Sequence, residues 1–353
     1  MTTRRAVLAA ALAAALAIPA LPAAAQIGST VEEIAAYDQP DRDQKLYEAA
    51  KKEGSLTIYT SAQVKDMGAI AKAFEAKYPG VKVEIWRASS EKVLQRAITE
   101  ARAGRNTMDV AETNGPELES MHREKICQAM KSPYQKDLIP EALPAHHEWT
   151  GTRLNVFVQA YNTNAVKKAD LPKSWEDLAD PKWKDKIGIE QADYDWLSGE
   201  ASALGEQKAA AVFKKMVDTN GISVRKGHTL LTQLVVSGEV PLALTVYNYK
   251  AEQFKKKGAP IDWFSIGPAI ARPNGIAVAK KAPHPHAAVL FYDFEISPDG
   301  QKILAKRNFV TTNRKVHTKL GDIPMKFVEV NEMLDHYDHW EKLYTQLFSG
   351  KSK

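Results

Sequence analysis

Short apolar strands alternate with amphipathic helices near the start of the chain. The strands are predicted at Leu56–Tyr59, Val81–Trp86 and Met108–Ala111, and the helices between them at Val64–Tyr78 and Glu91–Ala103. In the first helix, the apolar side chains recur at the spacing of one helical face. Strands joined by helices in this order form a parallel sheet with right-handed crossovers. The sequence therefore predicts an α/β fold.

A second unit of the same class is predicted in the middle of the chain. Its strands are Leu154–Tyr161, Lys186–Glu190 and Leu242–Val246, and its main helices are Glu206–Asp218 and Thr229–Ser237. The later elements are a strand at Ile276–Ala279, a helix at Pro285–Ile296 and an amphipathic helix at about Pro324–Leu347. Two separate α/β units indicate two lobes.

The order of these elements implies that the first lobe takes residues from both ends of the sequence. We expect lobe 1 to comprise residues 54–153 plus about 266–305, and lobe 2 about 154–265 plus 306–353. Residues 26–53 form an N-terminal extension with a short helix. At least two strands then cross between the lobes, which predicts a hinge and a cleft.

Residues 1–25 have the pattern of a secretory signal peptide. Arg4 and Arg5 precede the apolar run Ala6–Ile18, and Ala23–Ala25 offers a small-residue cleavage site. The run is shorter than the roughly 20 residues that a bilayer span needs. The paired arginines leave twin-arginine export open beside ordinary secretion. We therefore expect the mature protein in the periplasm.

Composition excludes several other classes of protein. Cys127 is the only cysteine, so no internal disulfide can form. The net charge is +5, with lysines spread along the chain, which argues against a nucleic-acid partner. The sequence contains no G-x-S-x-G, G-x-G-x-x-G, P-loop or H-E-x-x-H motif, and this counts against an enzyme.

Polar residues follow the first two predicted strands, where open α/β sheets bind ligands. Ser61 and Gln63 follow the first strand, and Arg87, Ser89 and Ser90 follow the second. Backbone N–H groups at a helix N-terminus bind anions, and arginine suits carboxylate or phosphate. The alternatives are simple helix capping by the serines and a surface salt bridge by the arginine.

Later strand ends carry acidic residues. Glu112 and Asn114 lie just after the third strand, and Asp193, Asp195 and Trp196 follow the strand Lys186–Glu190. Carboxylate oxygens favour a hard cation or an amine, and the indole could form a wall of the site. Turn formation is the alternative for the aspartates.

Tyr247 and Tyr249 flank Asn248 where the strand Leu242–Val246 ends, before the lysine-rich helix Lys250–Lys257. We expect these three residues to lie in a loop. Paired phenols suit either hydrogen bonds to a polar solute or coordination of a hard metal ion as phenolates. The alternative is that both rings only pack.

Several segments, in this order, resemble bacterial extracellular solute-binding proteins of ABC importers. They are Glu53–Ser61, Phe74–Val83, Asp170–Leu178, Asp180–Trp183, Ser237–Val240 and Lys257–Pro260. The resemblance covers essentially all of the mature chain and is closest to the ferric-iron-binding branch. It implies the type 2 periplasmic-binding-protein fold, with two α/β lobes, a hinge and an interlobe ligand cleft.

In ferric-binding relatives, two adjacent tyrosines bind the metal together with a histidine and a glutamate. Tyr249 matches the second tyrosine, and Asn248 stands in the place of the first. Gln63 and Asn114 stand where the histidine and the glutamate are expected. The metal ligands implied by the resemblance are Tyr249, Tyr247 and Glu112.

The resemblance implies a periplasmic receptor that binds ferric iron or a ferric complex for import, with Fe(III) as transported ligand and no cofactor. The same role for a small organic or phosphorylated anion is the alternative. A secreted metal-dependent enzyme that uses Asp193, Asp195 and nearby histidines is a third hypothesis. The expected partners are an inner-membrane ABC permease and the solute, with no nucleic acid, and the receptor is expected to be a monomer without catalytic activity.

Overall fold

A computed structural model describes residues 27–349 of the chain, so the expected signal peptide lies outside the described residues. The helices are α1 (Val31–Ala36), α2 (Arg42–Glu53), α3 (Val64–Lys77), α4 (Ser90–Arg102), α5 (Gly115–Arg123), α6 (Tyr194–Leu204), α7 (Glu206–Asn220), α8 (His228–Ser237), α9 (Asn248–Lys255), α10 (Pro285–Ile296), α11 (Pro298–Lys306), α12 (Val330–Asp335) and α13 (Tyr337–Tyr344). The strands are β1 (Ser55–Thr60), β2 (Lys82–Arg87), β3 (Val110–Asn114), β4 (Thr150–Asn162), β5 (Ile187–Glu190), β6 (Ser223–Arg225), β7 (Leu242–Tyr247), β8 (Ile261–Phe264), β9 (Ala269–Val278), β10 (Val310–Thr311) and β11 (Met325–Phe327).

The predicted parallel arrangement near the start of the chain is confirmed. Strand β1 pairs in parallel with both β2 and β3, and α3 and α4 make the two crossovers. The buried face of α3 carries Met67, Ile70, Ala71 and Phe74, which are the residues that the helical spacing predicts. The chain can turn after this helix because Gly80 adopts a φ of +95°.

The strands form one continuous hydrogen-bonded sheet with the order β2-β1-β3-β9-β4-β7-β5-β6. Strands β8 and β10 also pair with β4, and β11 pairs with β9. Strand β5 is parallel to β6 and β7, so the predicted second α/β unit is present. We call β2, β1 and β3 the first half of the sheet, and β7, β5 and β6 the second half.

Two antiparallel strands join these halves. Strand β4 is buried along all 13 of its residues. Its residues Thr150–Val156 pair with β9, whereas Phe157–Tyr161 pair with β7. Strand β9 pairs with β3 through Asn274–Val278. The two strands therefore carry the chain from one half to the other, and they lie beneath the candidate site.

Three predicted elements are corrected by the structure. A single helix at Pro324–Leu347 is wrong because Met325–Phe327 pairs with Ala269–Ala271 of β9, and the helical part is interrupted at His336. Strand β9 is longer than the predicted Ile276–Ala279. Strand β3 extends through Asn114, because pairing with β9 continues beyond the apolar residues. Tertiary pairing overrides local apolar spacing in each case.

The core lies between the sheet and its covering helices, with α10 buried along its length against α2. Phe74 of α3 meets Phe291 of α10 with ring centroids 5.1 Å apart. At the same interface, Arg42 Nε donates to Asp293 Oδ2 over 2.6 Å, so both buried charges are compensated. Among residues 27–349, no helix combines the length and apolarity that crossing a membrane requires.

Candidate functional site

Residues that follow strands in both halves of the sheet line a cleft of about 410 Å³. This volume is in the usual range for a site that binds a small solute. Gln63, from the first half, donates from Nε2 to Thr229 Oγ1 of α8 in the second half, over 3.2 Å. The two walls of the cleft are therefore in direct contact at this point.

Most of the sequence-predicted site residues meet in this cleft. The lining includes Ser61, Gln63, Arg87, Ser89, Ser90, Asn114, Tyr247 and Tyr249. The structure therefore brings these residues together at strand ends, and their role as ligand contacts stays a prediction. Asp195, Trp196 and Glu112 do not line the cleft.

Tyr247 and Tyr249 present their rings together to the cleft. The ring centroids are 5.7 Å apart, with an interplanar angle of 16°. Between them, Asn248 is fully buried and faces away, because its Nδ2 donates to the carbonyl oxygen of Leu320 over 3.2 Å. The predicted loop is wrong: Tyr247 ends β7 and Asn248 begins α9 directly.

The surroundings of the two phenols favour their neutral forms. Burial raises the pKa of Tyr247 well above its usual value, although Arg272 opposes this shift by donating from Nη2 to the phenol oxygen. Burial also raises the pKa of Tyr249, with Arg153 opposing. Within residues 27–349, the Tyr249 hydroxyl has no hydrogen-bond partner. A phenolate at either position therefore needs the charge of a bound metal ion.

Asp195 lies behind the cleft and supports Arg272. Helix α6 begins at Tyr194, so Asp195 is in its first turn. Its Oδ2 accepts from Arg272 Nη1, and the guanidinium also lies 5.2 Å from the ring centroid of Phe157. Burial raises the pKa of Asp195, and the arginine opposes this shift. The pair fixes the guanidinium that contacts Tyr247.

Trp196 is a core residue. Helix α6 turns it away from the cleft, and its side chain is fully buried. Its ring centroid lies 5.8 Å from that of Trp175 and 5.2 Å from that of Phe213. The suggested wall of the site is therefore part of the packing between α6 and α7.

Glu112 lies in β3 and is fully buried. Its carboxylate accepts hydrogen bonds from Arg153 and from the hydroxyl of Thr60. Arg153 itself lines the cleft, and its guanidinium lies 4.8 Å from the ring centroid of Phe309. As with Asp195, the acidic residue holds an arginine of the site in place.

The first-half wall is a connected polar surface. Asn114 donates from Nδ2 to Ser90 Oγ over 2.8 Å, and its Oδ1 accepts from Asn155 and Asn274 over 3.2 and 3.1 Å. Ser61 Oγ accepts from Thr113 over 3.0 Å.

Ser89 and Arg87 have few contacts of their own at this wall. Ser89 is the N-cap residue of α4, but its side chain makes no capping hydrogen bond in the described chain. Arg87 is exposed, with a long contact of 3.4 Å from Nε to the carbonyl oxygen of Ala62. Both side chains are available to a solute.

The cleft also contains residues that the sequence did not identify as ligands. Glu190 and His228 line it together with Asp193, and Arg153, Lys226 and Arg272 add positive charge. Burial lowers the pKa of His228, but Asp193, 3.2 Å from its Nε2, raises it and prevails. His228 lies just after β6, and the rule that ligands bind at strand ends could have identified it as a candidate ligand. The two arginines lie inside long strands, where no sequence pattern marks them.

Comparison with known proteins identifies the family. Residues 113–336 match the family described as bacterial extracellular solute-binding protein. The "Iron uptake protein A1" of Synechocystis is 24% identical over 290 residues, which cover 76% of this chain and 78% of the relative.

Two solved structures share the fold. Iron-bound HitA from Pseudomonas aeruginosa has a TM-score of 0.71 at 23% identity and covers 83% of this chain and 99% of its own. The periplasmic binding protein AfuA from Actinobacillus pleuropneumoniae, with fructose-6-phosphate bound, has a TM-score of 0.74 at 22% identity and covers 85% and 100%.

These likenesses confirm the predicted two-lobe periplasmic-binding-protein fold. The family match covers most of the cleft-lining segments, from the end of β3 through α12. The chain therefore belongs to the bacterial extracellular solute-binding protein family.

Proposed function

We propose that the protein is the periplasmic receptor of an ABC importer and that its solute is a ferric complex. The observation that carries the ligand assignment is the pair of phenols, Tyr247 and Tyr249, side by side in the cleft. Phenolate oxygen is a hard donor that suits Fe(III). The relative named for iron uptake and the iron-bound structural neighbour support the same assignment.

The charges of the cleft favour a complex over a bare ion. Arg87, Arg153, Lys226 and Arg272 line the cleft. The two buried arginines are compensated by carboxylates, whereas Arg87 and Lys226 form no ion pair within the described residues. These two unpaired cations attract an anionic chelator. The cleft is also lined by carboxylates, which favour the metal ion of such a complex: Asp66, Glu91, Glu117, Glu190 and Asp193. An iron ion held by a polycarboxylate would satisfy both the phenols and the cations.

The transport role follows from the two-lobe arrangement. We propose the lobe limits 54–153 plus about 266–305 and about 154–265 plus 306–353, with β4 and β9 as the hinge. Because both walls contact the solute, binding and closure are linked, and the closed form is the one a permease would recognise. The receptor acts as a monomer in the periplasm after removal of its signal peptide, and no bond is made or broken.

The test is an optical titration of the purified mature protein with ferric citrate. Coordination of iron by a tyrosinate produces a visible charge-transfer absorption, which wild type should show and which should be weaker in Tyr249→Phe, because only Tyr247 then remains. Tyr337→Phe is the matched control, because Tyr337 is 38% exposed and does not line the cleft. Absence of colour in wild type, or equal colour in Tyr249→Phe, would overturn the ferric assignment.

A small organic or phosphorylated anion is the second candidate. It is favoured by Arg87 and Ser89 beside the N-terminus of α4. The backbone N–H groups there suit a phosphate, and so does the Ser89 hydroxyl, which makes no capping hydrogen bond. AfuA, a structural neighbour, has fructose-6-phosphate bound. Calorimetric titrations with fructose 6-phosphate and ferric citrate separate the candidates. Recovery of the solute unchanged separates both from the hypothesis of a metal-dependent enzyme.

A further inference from the structure

Three side chains on the second-half wall form a set of metal-ligand groups distinct from the tyrosine pair. Glu190 ends β5, Asp193 immediately precedes α6, and His228 begins α8. Each offers one ligand atom, and these atoms all lie within 4.8 Å of one another. Glu190 and Asp193 lie three residues apart in the chain, and the fold brings His228 to them.

His228 has the orientation of a metal-binding imidazole. Its Nδ1 lies 3.0 Å from the carbonyl oxygen of Thr245. A carbonyl only accepts, so Nδ1 carries a proton and donates it, and Nε2 is the nitrogen that a metal ion would bind, in place of a proton. That nitrogen lies 3.2 Å from Asp193 Oδ1. A backbone carbonyl that fixes the second ring nitrogen is the usual support of a histidine ligand.

The two carboxylates, Asp193 and Glu190, also have oxygen lone pairs available for a cation. Asp193 is 1% exposed, and its Oδ2 is buried without a hydrogen-bond partner in residues 27–349. Glu190 accepts from the backbone N–H of Ala192 over 2.5 Å and of Gly227 over 2.8 Å, which orients both oxygens and leaves lone pairs available. An unpartnered buried carboxylate oxygen is costly, and a cation at this point would satisfy it.

We propose that Glu190, Asp193 and His228 bind a first-row transition-metal ion, iron included. One imidazole nitrogen and two carboxylate oxygens suit such an ion, and the two negative charges balance a divalent one. All three residues line the cleft, so an ion held by them would be accessible from it. The His228 ring lies 3.9 Å from that of Tyr247, so a metal here would adjoin the phenol pair. The inference rests on the proposed function, because it supplies additional metal ligands in the same receptor cleft.

The other cluster of ligand-type side chains in the described part of the chain provides a control. It contains Glu119, His122 and His146. There, His146 Nδ1 accepts from the backbone N–H of Glu148 over 3.0 Å, so the proton lies on Nε2, which faces Glu119 at 3.0 Å. Neither nitrogen of His146 can bind a metal without breaking a hydrogen bond. This cluster has the same residue types, but its Glu119 carboxylate is already engaged by His146 and by the indole N–H of Trp149.

Cobalt(II) chloride is the probe, because its visible absorption bands change when imidazole and carboxylate coordinate the ion. We expect wild type to bind one Co²⁺ per chain at this site. His228→Gln and Asp193→Asn should each weaken binding at least about tenfold, whereas His146→Gln should leave it unchanged. Equal Co²⁺ affinity in wild type and His228→Gln would overturn the proposal. If one of these two variants does not fold by circular dichroism, the other decides the same question.

Measurements on the same wild-type and variant proteins distinguish a failure of this inference from a failure of the receptor proposal. If the cluster does not bind metal but the ferric assignment is correct, ferric citrate gives colour that depends on Tyr249 and Co²⁺ does not bind. If only the receptor proposal fails, Co²⁺ binds through His228 and ferric citrate gives no colour. Loss of Co²⁺ binding in His146→Gln alone would also overturn the assignment, because the metal would then lie at the other cluster.

Discussion

The buried Arg272–Asp195 pair holds the guanidinium that contacts Tyr247, and its removal should be costly. Arg272 is 8% exposed and Asp195 is 3% exposed. Arg272 donates to the carboxylate through Nη1 and to the tyrosine oxygen through Nη2. Arg272→Met keeps an unbranched side chain of similar length and removes the charge. The carboxylate then remains buried without its cation.

The expected magnitude follows from this geometry. Breaking a buried ion pair by removing one partner costs about 3–5 kcal/mol, because the remaining charge is uncompensated. The double variant Arg272→Met/Asp195→Asn removes both charges. The asparagine keeps the Oδ1 that accepts from the backbone N–H of Trp196 over 3.0 Å in wild type. The double variant should therefore lose only about 1–3 kcal/mol, the cost of unsatisfied neutral polar groups.

The assay is urea unfolding followed by tryptophan fluorescence, with the free energy of unfolding obtained by linear extrapolation. Arg102→Met is the control, because Arg102 and Glu124 form an exposed pair at 2.7 Å. Its loss should cost no more than about 1 kcal/mol. The reasoning is refuted if the double variant is as unstable as Arg272→Met, or if Arg272→Met is as mild as the control.

Three further predictions concern single side chains. Burial raises the pKa of Glu200 to about 8. The unfolded chain therefore releases this proton first, and the free energy of unfolding should fall by on the order of 3–5 kcal/mol as pH rises from about 4.5 to about 8. Glu200→Gln should remove that fall, as measured by urea unfolding at several pH values; an unchanged pH profile would contradict the shift. Trp196→Ala should cost about 3–5 kcal/mol through the cavity it leaves, without changing the affinity for ferric citrate measured by titration. Arg87→Ala should change stability by less than about 0.5 kcal/mol, but weaken binding of an anionic complex, with a smaller effect at high salt in calorimetry.

Much of the fold could be predicted because its signals are local. The apolar face of α3 and the stop at Gly80 need no knowledge of the rest of the chain. The strand-end rule also located Ser61, Ser90 and Tyr249 in the cleft, because a parallel sheet always places these chain positions at one edge. These inferences depend on side-chain spacing and turn residues, which the sequence states directly.

The sequence patterns did not predict the direction in which individual side chains point. Asp195 and Trp196 follow a strand as Tyr249 does, and all three lie in the first turn of a helix. Only Tyr249 reaches the cleft, whereas Asp195 supports an arginine and Trp196 enters the core. A shift of two residues in the start of a helix rotates a side chain by about 200°. Sequence patterns locate helix ends less finely than that.

The sequence by itself determined the two α/β units, the strand ends that build the cleft and the presence of two tyrosines there. Only the tertiary structure decided that Asn248 turns away while Tyr247 faces the cleft, and that Glu190, Asp193 and His228 converge. The physical reason is that hydrogen-bond partners far apart in the chain fix these orientations. Leu320 holds the asparagine, Arg272 contacts the tyrosine, and Thr245 orients the imidazole.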